Sequence, residues 1–165
     1  MIYWKKGNLL ESDCDYICQQ VNCQGKMNSG IAKQIREKWP VVYKNYMEKY
    51  NILNGVSGAL LGDIQIVGLW EDYYATDFHQ SVINMFSQEH YGYDGRRYTS
   101  YDAFWNCLNL IKRTVPKGKT IGFPKKIGCD RGGANWPVIL EMITEVLGVE
   151  YKVFIYYLEG DDGTY

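Results

Sequence analysis

The chain has 165 residues, 46% of them hydrophobic, a formal net charge of −1, five cysteines and two histidines. That length is most simply one domain with a sizeable core, and the balanced charge leaves no electrostatic footprint for nucleic acid. With no Cys-x-x-Cys pair, the cysteines and histidines point to neither a structural zinc site nor a disulfide framework.

Met1 to Lys6 lacks the apolar run of a signal peptide, and no stretch is long enough to span a bilayer. The expectation is a reduced, cytoplasmic setting with no membrane partner, no metal and no cofactor. Ile2 to Trp4 reads as a first strand, ended by Gly7-Asn8. Asp15 to Asn22 reads as a second, with Ile17 and Val21 in its apolar part. A glycine-bearing loop, Cys23 to Gly30, leads into a helix over Ile31 to Trp39. There Ile31, Ile35 and Trp39 form an i, i+4, i+8 stripe, Ser29 is the expected N-cap, and Pro40 punctuates. Val41 to Tyr50 is a second helical run with Tyr43, Met47 and Tyr50 on one side.

Leu60 to Asp63 breaks the chain before two strands, Ile64 to Trp70 and Gln80 to Ser87. Glu71 to His79 fits a hairpin connection between them, so an antiparallel pair is expected. Gln88 to Thr99 interleaves aromatics with Gly and Arg. Thr99 or Ser100 then caps a helix over Tyr101 to Val115, with Phe104, Leu108 and Ile111 on one face. Lys119 to Pro124 is a short buried strand. After the loop Ile127 to Pro137, a helix runs from Val138 to Gly148, capped by Asn135 with Pro137 in its first turn. Tyr151 to Leu158 is the last strand, and residues 159–165 are a polar tail expected to fray. Strands alternating with helices predict an α/β sandwich around a mixed sheet, as one domain over residues 1–158.

The loop Ile127 to Pro137 joins a strand to a helix start and can offer backbone amides to phosphate. It matches neither G-x-G-x-x-G nor a Walker A loop. A tight Gly-Gly turn is an equally good account of it alone. The Gly25–Gly30 loop also follows a strand, so both loops can face the crevice beyond the strand ends and grip a diphosphate from opposite sides.

The stretches Lys6-Gly7-Asn8-Leu9-Leu10, Gln20-Val21-Asn22-Cys23-Gln24-Gly25-Lys26-Met27-Asn28-Ser29-Gly30-Ile31-Ala32, Tyr91 to Ala103, and Phe123 to Trp136 resemble the macro domain. The likeness is to its Appr-1″-p-processing branch, which holds the yeast-type ADP-ribose-1″-phosphate phosphatase and the terminal ADP-ribose protein glycohydrolase. The resemblance implies a three-layer α/β/α sandwich and a pocket for ADP-ribose or a related small molecule. It places Asn8 and Leu9 at the adenine and Asn22 beside the distal ribose. Gly25, Lys26, Met27, Asn28, Ser29, Gly30 and Ile31 would border that ribose and the diphosphate. Ile127, Gly128, Cys129, Asp130, Arg131, Gly132, Gly133, Ala134 and Asn135 would wrap the diphosphate. Tyr156, with Leu158 beside it, would wall the adenine.

The likeness thins at the chemistry. The glycohydrolase's lysine at the end of the fourth core strand has no counterpart in Phe86-Ser87-Gln88. The phosphatase's second-strand histidine is replaced within Cys18-Gln19-Gln20. Asp130, displaced from the family's aspartate, and Asn28 are the residues left to orient water. The implied activity is hydrolysis of ADP-ribose-1″-phosphate. The alternatives are a non-catalytic reader of an ADP-ribose-containing metabolite and an ADP-ribosyl hydrolase acting on modified protein or nucleic acid.

Several side chains have two accounts. Asp130 is a base or a solvated loop carboxylate. Arg96 and Arg97 clamp a terminal phosphate or sit in an exposed turn. His90 is an acid or a surface residue. Cys23 and Cys129 pack as small apolar groups, since no basic neighbour lowers their pKa. Trp136 packs at a helix start or closes the pocket.

Overall fold

A computed structural model describes residues 1–70 and 79–161. Along the strand Tyr16–Asn22, Ile17 and Val21 enter one apolar cluster while Cys18 enters another. Successive residues of a strand point to opposite faces, so this strand is covered on both. Six strands make one sheet: β1 (Ile2–Lys6), β2 (Tyr16–Asn22), β3 (Ile64–Gly68), β4 (Ser81–Gln88), β5 (Thr120–Pro124) and β6 (Lys152–Tyr157), in the order β1-β6-β5-β2-β4-β3. All neighbours run parallel except β3 and β4, which form the antiparallel pair expected from their spacing.

Helices α1 (Gly30–Lys38), α2 (Pro40–Ile52) and the short α3 (Ser57–Leu60) cover one face through Ile35, Val42, Tyr46 and Leu60. Helices α4 (Tyr101–Thr114) and α5 (Trp136–Leu147) cover the other. Phe104, Leu108 and Ile111 of α4, the expected face, are fully buried there with Ile139 and Ile143 of α5. The result is the predicted α/β/α sandwich with a mixed central sheet.

Some expectations shift. In α2 the residues buried outright are Val42 and Tyr46, while Tyr43, Met47 and Tyr50 only flank the core. An inward tyrosine needs a polar partner for its hydroxyl, and Tyr46 finds one in the Asn22 carbonyl at the end of β2. Ser29 holds the N-cap position of α1, but its side chain makes no capping bond. Pro40 does not end a helix; it opens α2. The strand expected to reach Trp70 stops at Gly68, which pairs with Ser81, the first residue of β4; the Trp70 ring folds back to where a Gly68 Cβ would lie, at 2.8 Å. A 3₁₀ turn at Leu9–Glu11 and α3 are too short to leave a periodic signal. Of the expected hairpin connection, residues 71–78 lie outside the described residues. The tail expected to fray is tied down over its first three residues, by Lys6–Glu159 at 3.0 Å and by a Lys125–Asp161 ion pair; residues 162–165 lie outside the described residues.

One register detail shapes the molecule. β2 pairs with β4 along its whole length, from Tyr16–Ser81 to Asn22–Gln88. With β5 it pairs only at Tyr16–Ile121 and Ile17–Gly122. Asp15 locks this joined end. Its Oδ2 accepts the Thr120 N–H at 2.8 Å and the Thr120 hydroxyl at 2.9 Å, and its own N–H donates to Thr120 Oγ1 at 2.8 Å. Burial pushes the Asp15 carboxyl up, but these bonds and the Lys119 ammonium outweigh it and hold the group below the usual carboxylate range.

A carboxyl with a depressed folded pKa contributes stability above its unfolded pKa of about 4 and loses it as pH falls through the folded value. Asp15→Asn is therefore expected to cost about 1–3 kcal/mol at neutral pH. The difference from the parent chain should shrink to near zero in strong acid. Urea unfolding across pH 2–7, as an order-of-magnitude window about the carboxylate range, measures it; a cost independent of pH contradicts the role.

Candidate functional site

Because β2 and β5 pair only near their starts, their carboxyl ends part. β2 leads to α1 on one face and β5 leads to α5 on the other. That makes the gap a topological switch point, where ligands settle in open α/β sheets. A cleft of about 1020 Å³ opens there, lined by the residues that follow β1, β2, β4, β5 and β6.

On the β2 side, Asn22 organises the wall. Its Oδ1 accepts the Gln24 N–H at 3.0 Å, and its Nδ2 donates to Lys26 O at 2.9 Å. The buried Tyr46 hydroxyl, 2.8 Å from Asn22 O, accepts the Lys26 N–H at 3.1 Å. Asn22 lines the cleft, but its amide is committed to shaping this loop. The loop delivers Ser29, Gly30 and Ile31 to the cleft as the first turn of α1. Helices α4 and α5 have side-chain caps, from Ser100 and Asn135; α1, like α2 and α3, has none, and it is α1 whose first turn lines the cleft. Its N–H groups, at the positive end of the helix, are thus left for solvent or an anion.

On the β5 side, a buried polar hub carries the glycine-rich loop. The Thr99 hydroxyl accepts a Gln20 Nε2–H at 2.8 Å and donates to Gly128 O at 2.8 Å. Gln20 also donates to Gln88 Oε1 at 2.9 Å and accepts from the Ser87 hydroxyl at 2.8 Å. The Tyr98 and Thr99 N–H groups donate to Gly132 O at 2.8 and 2.9 Å. Two glycines are required by this packing. Gly128 has φ +74° and faces Gln20 Oε1 at 2.8 Å from an added Cβ; a Cβ on Gly132 would lie 2.3 Å from both Gly128 O and Thr99 Oγ1.

The structure brings most of the expected residues to one place. Asn8, Leu9, Asn22, Lys26, Asn28, Ser29, Gly30, Ile31, Ile127, Gly128, Asp130, Arg131, Gly132 and Tyr156 all line the cleft. Six others do not. Gly25 backs onto the Tyr50 ring, and Gly133 onto the backbone of Arg96 and Arg97. Met27 and Ala134 are core residues. Cys129 is half-buried, its thiol pushed up to about 12 by burial and by the charge of Asp130. Asn135 is occupied as the α5 cap and donates its N–H to the Tyr101 hydroxyl at 2.9 Å. Cys23 is buried, its thiol likewise pushed up to about 12 by burial, as a packing residue should be.

Other side chains are placed as follows. Asn8 uses its Oδ1 to accept the Leu10 N–H at 3.0 Å, which leaves its Nδ2 as the group free for a ligand. Asn28 Oδ1 accepts from Arg36 at 3.0 Å. Arg96 pairs with Asp94 at 3.2 Å, Arg97 lies over the Tyr101 ring at 4.6 Å, and neither lines the cleft. His90 is exposed and outside it, and Trp136 is a core residue edge-on to Trp4. Reasoning from the chain alone missed Gln20, Gln88, Tyr91, Tyr93 and Lys126 as cleft residues. The interleaved aromatics of residues 88–99 were the available sign for the tyrosines.

Chemically, two carboxylates line the cleft among the described residues. Asp161 is paired with Lys125, and Asp130 has no ion-pair partner among the described residues. At the end of β4, Ser87 is fully buried and bonded to Gln20. Gln19 points to the opposite face and donates to Asn84 at 2.7 Å. Among the described residues no group of three or more His, Cys, Asp or Glu side chains is placed to hold a metal ion, and no helix is long and apolar enough to cross a membrane.

No protein-family model matches the chain. It is 24% identical over 159 residues to a DNA ADP-ribosyl glycohydrolase of Thermus aquaticus, a match covering 93% of this chain and 41% of that protein. The chain thus spans well under half the length of that relative. Among solved structures it resembles the macrodomain of Mycobacterium tuberculosis DarG, with 22% identity, a TM-score of 0.73, and coverage of 94% of this chain and 97% of that one. It also resembles Thermosipho africanus DarTG, solved in complex with ADP-ribose, with 20% identity, a TM-score of 0.72, and coverage of 96% of this chain and 42% of that one. At these identities the likeness shows the fold: the chain has the macrodomain fold.

The hub makes Thr99 a test of the loop's support. Thr99→Val keeps the shape but strands one Gln20 N–H and leaves Gly128 O with the Ala134 N–H alone, so it should destabilise by about 1–3 kcal/mol. Thr99→Ser should recover most of that. Urea denaturation of the three proteins is the measurement; a neutral Val variant would remove the hub from the account.

Proposed function

We propose that the cleft binds ADP-ribose or a derivative of it and hydrolyses ADP-ribose-1″-phosphate to ADP-ribose and phosphate. The observation that carries this reading is the convergence, across one switch point, of the uncapped α1 N-terminus and the glycine-rich loop after β5. The first turn of α1 leaves N–H groups for an anion. In the loop the N–H groups of Gly128, Asp130, Arg131 and Gly132 make no hydrogen bond among the described residues, while those of Ile127, Cys129, Gly133 and Ala134 close the loop on itself. The ADP-ribose complex of a protein with the same fold supports the choice of ligand.

In this reading the loop amides, fixed in advance by the Thr99 hub, stabilise charge on the phosphoryl oxygens as the ester breaks. Asp130, unpaired among the described residues, takes the proton from the attacking water and passes it to the departing 1″ oxygen, so that ADP-ribose leaves as the alcohol. Asn28, with its Oδ1 held by Arg36, offers its Nδ2 to orient that water.

A second reading is removal of ADP-ribose from DNA, favoured by the name of the Thermus aquaticus relative. It would proceed without a lysine at the end of β4, where the chain has Ser87-Gln88.

Calorimetry is expected to show ADP-ribose binding, and the wild-type chain is expected to release phosphate from ADP-ribose-1″-phosphate. Asp130→Ala should keep its affinity and lose turnover by about 10²-fold or more. Release of ADP-ribose from modified DNA, with no phosphate from the ester, replaces the phosphatase with the second reading. Tight binding with the ligand unchanged in both assays makes the domain a reader. Absence of binding sinks all three.

A further inference from the structure

Two non-glycine residues have positive φ among the described residues, Asn54 at 51° and Lys126 at 62°. Asn54 is an ordinary case. Asparagine tolerates the left-handed region, and Asn54 sits in the turn that ends α2. Lys126 has no such tolerance. The Ile127 N–H donates to Pro124 O at 3.1 Å, closing a four-residue turn with Lys126 in third position. Turns with positive φ at that position take Gly or Asn there. A lysine is held in a conformation that two other residue types would adopt at lower cost, and it is held at the cleft.

Among the described residues, four cationic side chains line the cleft: Lys26, Lys125, Lys126 and Arg131. Two are occupied. Lys125 is paired with Asp161, its side chain 3% exposed. Arg131 donates to the Tyr93 hydroxyl at 2.9 Å and lies over that ring at 4.2 Å. Lys126 is exposed, and its ammonium makes no hydrogen bond or ion pair among the described residues. Lys26, also exposed, lines the same cleft from the β2 side, but its backbone carries no such strain. Strain retained at a functional site points to what the strained residue does there.

We propose that Lys126 is the cation that anchors the phosphate groups of the ligand, its backbone strain being stability given up to hold an ammonium at the switch point. This rests on the reading of the cleft as an ADP-ribose site. The test compares the full chain with Lys126→Asn and Lys126→Arg by calorimetry with ADP-ribose at low and high salt, and by thermal unfolding. Lys126→Asn relaxes the turn, so its Tm should rise by about 2–4 °C. Its affinity should fall about tenfold or more as a charge-assisted contact is lost, and depend less on salt. Lys126→Arg should bind within about threefold of the parent chain, since the charge is kept. An Asn variant that binds as well as the parent overturns the anchoring role, and one with an unchanged or lower Tm overturns the strain. If the parent chain binds no ADP-ribose, the proposed function fails, and titration with inorganic pyrophosphate decides Lys126 separately. Pyrophosphate bound by the parent and not by Lys126→Asn upholds the anchor; no binding by the parent overturns it.

Discussion

The cleft exists because two neighbouring parallel strands are tied at one end and part at the other. Asp15 ties them, with four bonds between its carboxylate or N–H and Thr120 or Lys119. Beyond Ile17 and Gly122 the pairing ends. A parallel ladder that continued would have filled the gap with backbone hydrogen bonds. Since the chain leaves β2 toward one layer of helices and β5 toward the other, neither connection crosses the opening. The position of the clamp therefore sets where a ligand can enter, several residues away from any group that would touch it.

The loop after β5 depends on a second polar device. Gln20, Ser87, Gln88 and Thr99 come from β2, β4 and the segment before α4, and they meet beneath Gly128 and Gly132. A buried polar group is costly unless bonded, and here each hydroxyl and amide finds a partner. Satisfied networks of this kind favour one arrangement over its neighbours. The glycines are consequences of the same packing, because the hub's oxygens occupy the space a Cβ would need. Rigid amides over an open cleft are what preorganised binding of an anion requires.

Much of the fold was legible because its signals are local. The i, i+4 pattern of Phe104, Leu108 and Ile111, the cap at Asn135 and the β4 run of buried residues each need only a few neighbours to read. The candidate site was legible as far as its two glycine loops, which carry their own composition. It was not legible at Tyr46, Thr99, Gln20 or Lys126. Tyr46 lies in a tyrosine-rich helix whose pattern does not say which ring turns inward. Thr99 and Gln20 are 79 residues apart and matter only when joined. Lys126 is an ordinary surface lysine until its φ is known.

By itself the sequence determined the alternation of strands and helices, the antiparallel pairing of β3 with β4, and the presence of glycine loops after β2 and β5. These follow from periodicity, caps and turn chemistry, which act over a handful of residues. Only the tertiary structure decided that β2 and β5 part at their carboxyl ends and that α1 reaches the opening uncapped. It also decided which residues of each loop face the cleft, which turn back into the core, as Met27 and Ala134 do, and which are taken up elsewhere, as Asn135 is in capping α5. Those outcomes depend on contacts between segments far apart in the chain. Long-range packing selects one partner among several that local chemistry permits equally well.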